Sequence, residues 1–201
     1  MKHIPVFFLL LFFSLFQAQN TFKYTSYKSA GIKKDFSIIV NYNDEKELNY
    51  FLLQVESKDI IYNKSTFILD KIQYLKFTAY LNFLATKLIE YDHINKLGKI
   101  KKVEKYIEWE ENMTVYCSYE DGPKQDVELK AIYLYQNGFG SLMISTSDFE
   151  QNGINFKRSQ IYFNSINDLK LFINKIDNVK VQEAINKNYD AKSRLKKKNY
   201  S

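Results

Sequence analysis

Residues 70–97 read DKIQYLKFTAYLNFLATKLIEYDHINKL, and the spacing of their apolar side chains decides how the rest of the chain must be arranged. On a helix, Tyr74, Phe77, Leu81, Leu84, Leu88 and Tyr91 recur at steps of three and four residues and stack on one face. Asp70 and Gln73 have the spacing of a capping box at its start, and Gly98 is suited to end it. In the first half the opposite face carries Ile72, Leu75, Ala79 and Phe83, so both faces are expected to be covered there. Thr86 and Glu90 turn that face polar further on. Burying the stripe contributes roughly 1.5–3 kcal/mol per side chain, whereas ordering the backbone costs roughly 1–2 kcal/mol per helical residue. Such a helix needs a wide apolar surface beneath it.

The residues after Gly98 supply that surface. The period changes to two: Val103, Lys105, Ile107 and Trp109 alternate with Lys102, Glu104, Tyr106 and Glu108, and Met113, Val115, Cys117 and Tyr119 repeat the pattern. Asp121, Gly122 and Pro123 mark a turn, Val127 to Tyr135 reads as a further strand, and Asn137-Gly138 is a tight-turn signal before Leu142 to Thr146. Asn152 and Gly153 mark another turn, and Phe156 to Phe163 reads as a fifth strand. Connections this short demand antiparallel neighbours, because parallel ones need crossovers of a dozen residues or more. Ser165 and Asp168 cap a second helix bearing Ile166, Leu169, Ile173 and Ile176, and a third helical piece covers Val179 to Tyr189.

Upstream of the central helix, Phe36 to Tyr42 and Thr66 to Leu69 read as strands. Residues 44–57 admit two readings. Leu48, Phe51, Leu52 and Val55 have helical spacing behind a possible Asp44/Glu47 cap, yet Asn49, Tyr50 and the run Ile60 to Tyr62 suit a hairpin, and the strand is preferred. A short internal echo pairs Ile68, Leu69, Asp70, Ile72, Leu75 and Lys76 with Tyr162, Phe163, Asn164, Ile166, Leu169 and Lys170. It is read as the common pattern of a strand, a cap and an amphipathic helix, since it lacks the sustained self-similarity of a repeat.

The first residues have the anatomy of a signal peptide: a head of Met1, Lys2 and His3, an apolar run from Ile4 to Phe16, and Gln17, Ala18 and Gln19 at its end. The run is shorter than the roughly 20 residues that span a bilayer. Cleavage is expected near Ala18 or Gln19. The lone Cys117 excludes both an internal disulfide and the lipid-bearing cysteine that would follow a lipoprotein cut. Loss of Lys2 with residues 1–18 lowers the net charge from +6 to +5, and much of the excess sits in Lys192, Arg194, Lys196, Lys197 and Lys198. The expected organisation is a signal peptide (1–18), a loose lead-in that includes an edge strand at most (19–35), one domain (36–190) and a basic flexible tail (191–201). The Phe- and Leu-rich head with Phe16-Gln17-Ala18-Gln19 resembles that of exported Bacteroidetes proteins. The order of elements over residues 60–180 is similar to that of small uncharacterised exported proteins of that group. The resemblance implies export and brings no active-site residue.

Chemistry-bearing residues are sparse. His93, the one histidine left after processing, and Cys117 would make a nucleophile–base dyad only if the fold joined them, and Cys117 reads instead as a small buried hydrophobe. No zinc-ligand spacing, G-x-S-x-G elbow or phosphate-binding glycine loop occurs among Gly31, Gly98, Gly122, Gly138, Gly140 and Gly153. Asp148, Glu150, Asn152 and Gly153 imitate the first half of a calcium loop, but Asn155 and Ser159 break its second half. Glu108, Glu110 and Glu111 could pair carboxylates, with Glu108 and Glu110 better read as a charged solvent face. Tyr106, Tyr116, Tyr119, Tyr133, Tyr135 and Tyr162 fall in strands, some fit to line a binding surface and most to fill the layers of the core.

The expected fold is therefore α+β: an antiparallel β-meander packed against a long central helix and a second C-terminal helix. The expected function is that of an exported, non-enzymatic binding or structural module of the cell envelope or secreted fraction. It would have no catalytic residue, metal or other cofactor, its partner would be a protein, glycan or lipid rather than a nucleic acid, and no transmembrane segment is expected. The competing reading is a small hydrolase with a carboxylate or Cys117–His93 site.

Overall fold

The computed structural model describes residues 20–30, 35–59, 61–119, 124–151 and 154–198. The expected signal peptide and the turns at Asp121-Gly122-Pro123 and Asn152-Gly153 lie outside them. The fold is α+β with an antiparallel sheet. Its strands are β1 (Asn20–Lys28), β2 (Asp35–Tyr42), β3 (Leu48–Ser57), β4 (Lys64–Asp70), β5 (Lys102–Ile107), β6 (Met113–Tyr119), β7 (Lys124–Gln136), β8 (Phe139–Thr146), β9 (Phe149–Gln151), β10 (Ile154–Phe156) and β11 (Ser159–Phe163). The helices are α1 (Lys71–Leu97), α2 (Ile166–Lys175) and α3 (Asn178–Lys198).

Helix α1 starts where its cap dictates. The Asp70 carboxylate accepts from the Gln73 amide at 2.7 Å, and the Gln73 side chain accepts from the Asp70 amide at 3.2 Å. Two of the donors left free by the first turn are thereby satisfied. Tyr74, Phe77, Leu81, Leu84 and Leu88 are buried as the stripe requires, joined by Tyr80, Ala85 and Asn95. The far face is a correction. Ile72 is 77% exposed, and Leu75 and Ala79 also face solvent; only Phe83 is covered, by Trp109, which stacks between it and Tyr80. An apolar back face marks room for a cover without obliging one, because single exposed aliphatics are tolerated.

The meander closes on itself. Pairings run β3–β4–β6–β7–β8–β11, and β11 returns to β3 through Ser159↔Ser57 and Gln160↔Glu56, so six strands form a ring. At the other end of β3 its neighbour is β2, which flares away with β1, while β5 takes the edge of β7 beyond the reach of β6. Helix α1 packs across β3, β4, β6, β7 and β8, α2 against β11 and α1, and α3 against β1 and β2. The inner face thus has three helices over it, and the outer face is wet.

Residues 48–57 form the preferred strand. Asn43, whose side chain accepts from the Glu45 and Glu47 amides, makes the turn before it in place of an Asp44 helix cap. Three boundaries differ from expectation. The alternating run from Val103 stops being a strand at Ile107, and Glu110 and Glu111 lie in a turn. The strand expected over Phe156 to Phe163 is broken at Lys157 and Arg158, and its first part joins a separate hairpin with β9. Helix α3 continues through Lys198 into the basic segment, whereas the edge strand allowed for in the lead-in is present as Asn20–Lys28, paired with β2. Asn137 and Gly138 adopt φ of +52° and +90°, the left-handed pair of a two-residue hairpin.

Candidate functional site

On the outer face, strands β5, β7, β8 and β11 bend around an open groove of about 420 Å³. Lys102, Val103 and Glu104 form one wall, and Leu134, Tyr135 and Gln136 of β7 the floor; Phe139, Ser141, Tyr162 and Asn164 form the other side. Alternation sends every second residue outward, so the same strands send Tyr133 and Gly140 inward. Phe139, next to the hairpin turn, is 78% exposed. The Ser141 hydroxyl lies 2.8 Å from the Tyr162 hydroxyl and donates to the Leu134 carbonyl at 3.2 Å. The Tyr162 backbone is held from the far side, where its carbonyl accepts from the Ala30 amide and its amide donates to Ser29 Oγ. The wall is therefore preformed, as ligand sites generally are.

Beneath the floor, α1 is docked by polar contacts. Tyr133 Oη donates to Asp92 Oδ1 at 2.8 Å and accepts from Asn95 Nδ2 at 3.1 Å. Burial first, and then the facing Asp92 carboxylate, pushes the Tyr133 phenol far above its ordinary value, so it stays a proton donor. Gly140 makes the approach possible. A Cβ there would collide with the Asp92 carboxylate and stand 2.9 Å from the Tyr133 ring. Among the described residues, the groove is lined by one cation, Lys102, and one carboxylate, Glu104, with no histidine, cysteine or aspartate. Its chemistry is that of contact: an exposed ring, hydroxyls and amides.

The residues singled out in the sequence lie elsewhere. Cys117 is 0% exposed at the closed end of the ring, where the inward positions of five strands converge in Ser57, Ser65, Cys117, Thr146 and Ser159. Only small side chains fit such a pinch, and their hydroxyls pair with one another. Ser65 Oγ donates to Ser159 Oγ at 2.6 Å, Ser159 Oγ to Tyr119 Oη at 3.0 Å, and the Ser159 amide to Thr146 Oγ1 at 2.9 Å, with Cys117 Sγ 3.8 Å from Ser159 Oγ. Burial raises the thiol to about 11 and the Tyr119 phenol to about 12. His93 is exposed near the end of α1 and makes no contact with this cluster. The fold does not join the dyad.

Asp148 is engaged as a clasp: its oxygens accept from the Arg158 amide at 2.8 Å and the Lys157 ammonium at 3.1 Å, tying the ends of the β9–β10 hairpin together. Although burial opposes it, these donors hold the carboxyl below its ordinary value. Glu108, Glu110 and Glu111 are exposed, and Glu111 pairs with Lys76 at 3.7 Å. Among the described residues, no group of three or more His, Cys, Asp or Glu could hold a metal ion, and no helix is long and apolar enough to cross a membrane. Of the six strand tyrosines, Tyr119, Tyr133 and Tyr135 are core, Tyr106 and Tyr116 are exposed, and Tyr162 reaches the groove. Sequence reading missed the groove because Lys102, Gln136, Phe139 and Asn164 belong to no motif; Phe139 beside Asn137-Gly138 was the available signal. No protein-family model, curated protein or solved structure matches this chain.

Proposed function

We propose that this chain is an exported, non-enzymatic binding module of the cell envelope or secreted fraction, and that the outer-face groove holds a neutral, polyhydroxylated ligand of glycan type. The observation that carries this reading is one exposed ring, Phe139, on the same side of an open groove as the paired hydroxyls of Ser141 and Tyr162, with amides at Gln136 and Asn164. An apolar platform stacks on the face of a sugar ring while donors and acceptors read its hydroxyls, and one charge of each sign at the rim favours a ligand without net charge. The competing hydrolase would need a nucleophile and a base in one concavity. The thiol is instead sealed among hydroxyls, and among the described residues no histidine, cysteine or aspartate lines the groove.

Saturation-transfer NMR against a panel of neutral oligosaccharides tests the reading. At least one should bind, with the signal abolished in Phe139→Ala and affinity weakened about fivefold in Tyr162→Phe, the scale of one hydrogen bond. A panel without a binder, or a binder indifferent to both substitutions, overturns the assignment.

A further inference from the structure

At the end of the molecule where α1 terminates, the chain reads Lys96-Leu-Gly-Lys-Ile-Lys-Lys102, with no acid between His93 and Val103. The turn is fixed by backbone bonds: the Gly98 amide donates to the Ile94 carbonyl at 2.9 Å and the Ile100 amide to the Asn95 carbonyl at 3.0 Å. It lies beside the β7–β8 hairpin, because the Asn137 amide donates to the Lys101 carbonyl at 3.1 Å and Lys102, Gln136 and Phe139 follow one another across β5, β7 and β8. Leu97 is 72% exposed, Ile100 41%, and Phe139 projects from the hairpin. Among the described residues, Lys96, Lys99, Lys101 and Lys102 make no ion pair, which they share with lysines such as Lys23, Lys64, Lys130 and Lys170; what sets the tip apart is that four of them fall within seven residues. Lys99 also occupies a left-handed backbone position, φ +50°, where glycine would be easier.

The geometry points to this tip as a surface that docks on anionic lipid bilayers, with Leu97, Ile100 and Phe139 entering the headgroup boundary and the lysines meeting lipid phosphates. Lysines without an ion-pair partner supply the charge complementarity, and exposed apolar side chains among them are the composition of an interfacial anchor. A nucleic acid or another soluble polyanion would use the lysines and leave the aliphatics wet. The docking does not rest on the groove reading, since only Lys102 and Phe139 belong to both surfaces.

The test is co-sedimentation of the full chain with vesicles of phosphatidylcholine alone and of phosphatidylcholine with phosphatidylglycerol. Every variant retains residues 1–19, so any partitioning of that apolar run cancels in the comparison with the parent. The parent should prefer the phosphatidylglycerol vesicles by about tenfold or more, and added salt should weaken the preference. Lys99→Gly with Lys101→Gln should lower binding about 25-fold, about fivefold per lysine, while Lys99→Gly relieves the backbone and keeps the melting temperature at or above the parent's. Leu97→Ser with Phe139→Ser should cost about tenfold. Tyr162→Phe, which alters the groove alone, should change nothing. Equal binding to both vesicles, indifference to either double variant, or loss on charge removal alone with equal affinity for a DNA duplex would each overturn the proposal.

Discussion

Cys117 shows how position at the residue scale sets chemistry. Its thiol sits in the closed end of the ring, so a thiol reagent at neutral pH should label the native protein at a small fraction of the denatured rate, and His93→Ala should leave that rate unchanged; rapid labelling that collapses in the variant would restore the dyad. The same burial predicts a pH dependence. The folded thiol titrates near 11 against an ordinary value of 9, so the folded state retains a proton that the unfolded chain releases in that window. Stability is therefore whole below pH 9 and falls as pH rises toward 11, by up to about 3 kcal/mol from this group. Melts of Cys117→Ala should have a shallower slope there, the remainder coming from the buried phenols, Tyr119 near pH 12 and Tyr27, Tyr74, Tyr80 and Tyr133 at more alkaline pH. Gly140 is as closely determined. Gly140→Ala should cost about 1–3 kcal/mol, since the Asp92 carboxylate must move, and calorimetry should find the loss reduced when Asp92→Ala is present.

Among the elements, α1 bears the largest share of the inner face, and its two faces give opposite expectations. Leu84→Asp would bury an unpaired carboxylate at a cost of several kcal/mol, comparable with the whole stability of a domain, and circular dichroism should find it unfolded. Ile72→Asp, on the exposed face, should melt within a few degrees of the parent. The helix was legible in sequence because period, cap and terminator agreed at Asp70, Gln73 and Gly98. The strand at residues 48–57 was harder, since Leu48, Phe51, Leu52 and Val55 satisfy a helical period while only tertiary pairing with β2 and β4 selects the strand. Ring closure was not legible at all, because it depends on two pairs that join Ser57 and Glu56 to Ser159 and Gln160 far along the chain. The groove failed for a similar reason: its side chains come from four strands brought together by register. Many tyrosines also have a local use that composition hides. Tyr24 and Tyr74 donate to the carbonyls of Lys175 and Ile176 at the end of α2, and Tyr119 to that of Lys157, satisfying acceptors that helix ends and loops leave open.

For the molecule as a whole, export is the prediction that places it. Protein recovered from the envelope or medium should have lost 18 or 19 residues by intact mass, as the Ala18 and Gln19 cut expects, and a cytosolic product that retains Met1 would contradict it. If the chain crosses a membrane before folding, the ring acquires a temporal meaning. The Ser65–Ser159 hydrogen bond at the pinch spans 94 residues of sequence, and β11 cannot meet β3 until the chain has emerged as far as Phe163. Long-range antiparallel closure places folding in the millisecond-to-second range, and until it is complete β3 and β4 present unpaired edges. A chain threaded from its N-terminus consequently cannot finish this architecture partway through transit: the hairpins of β1 to β4 can form early, but closure waits for one short strand that arrives late.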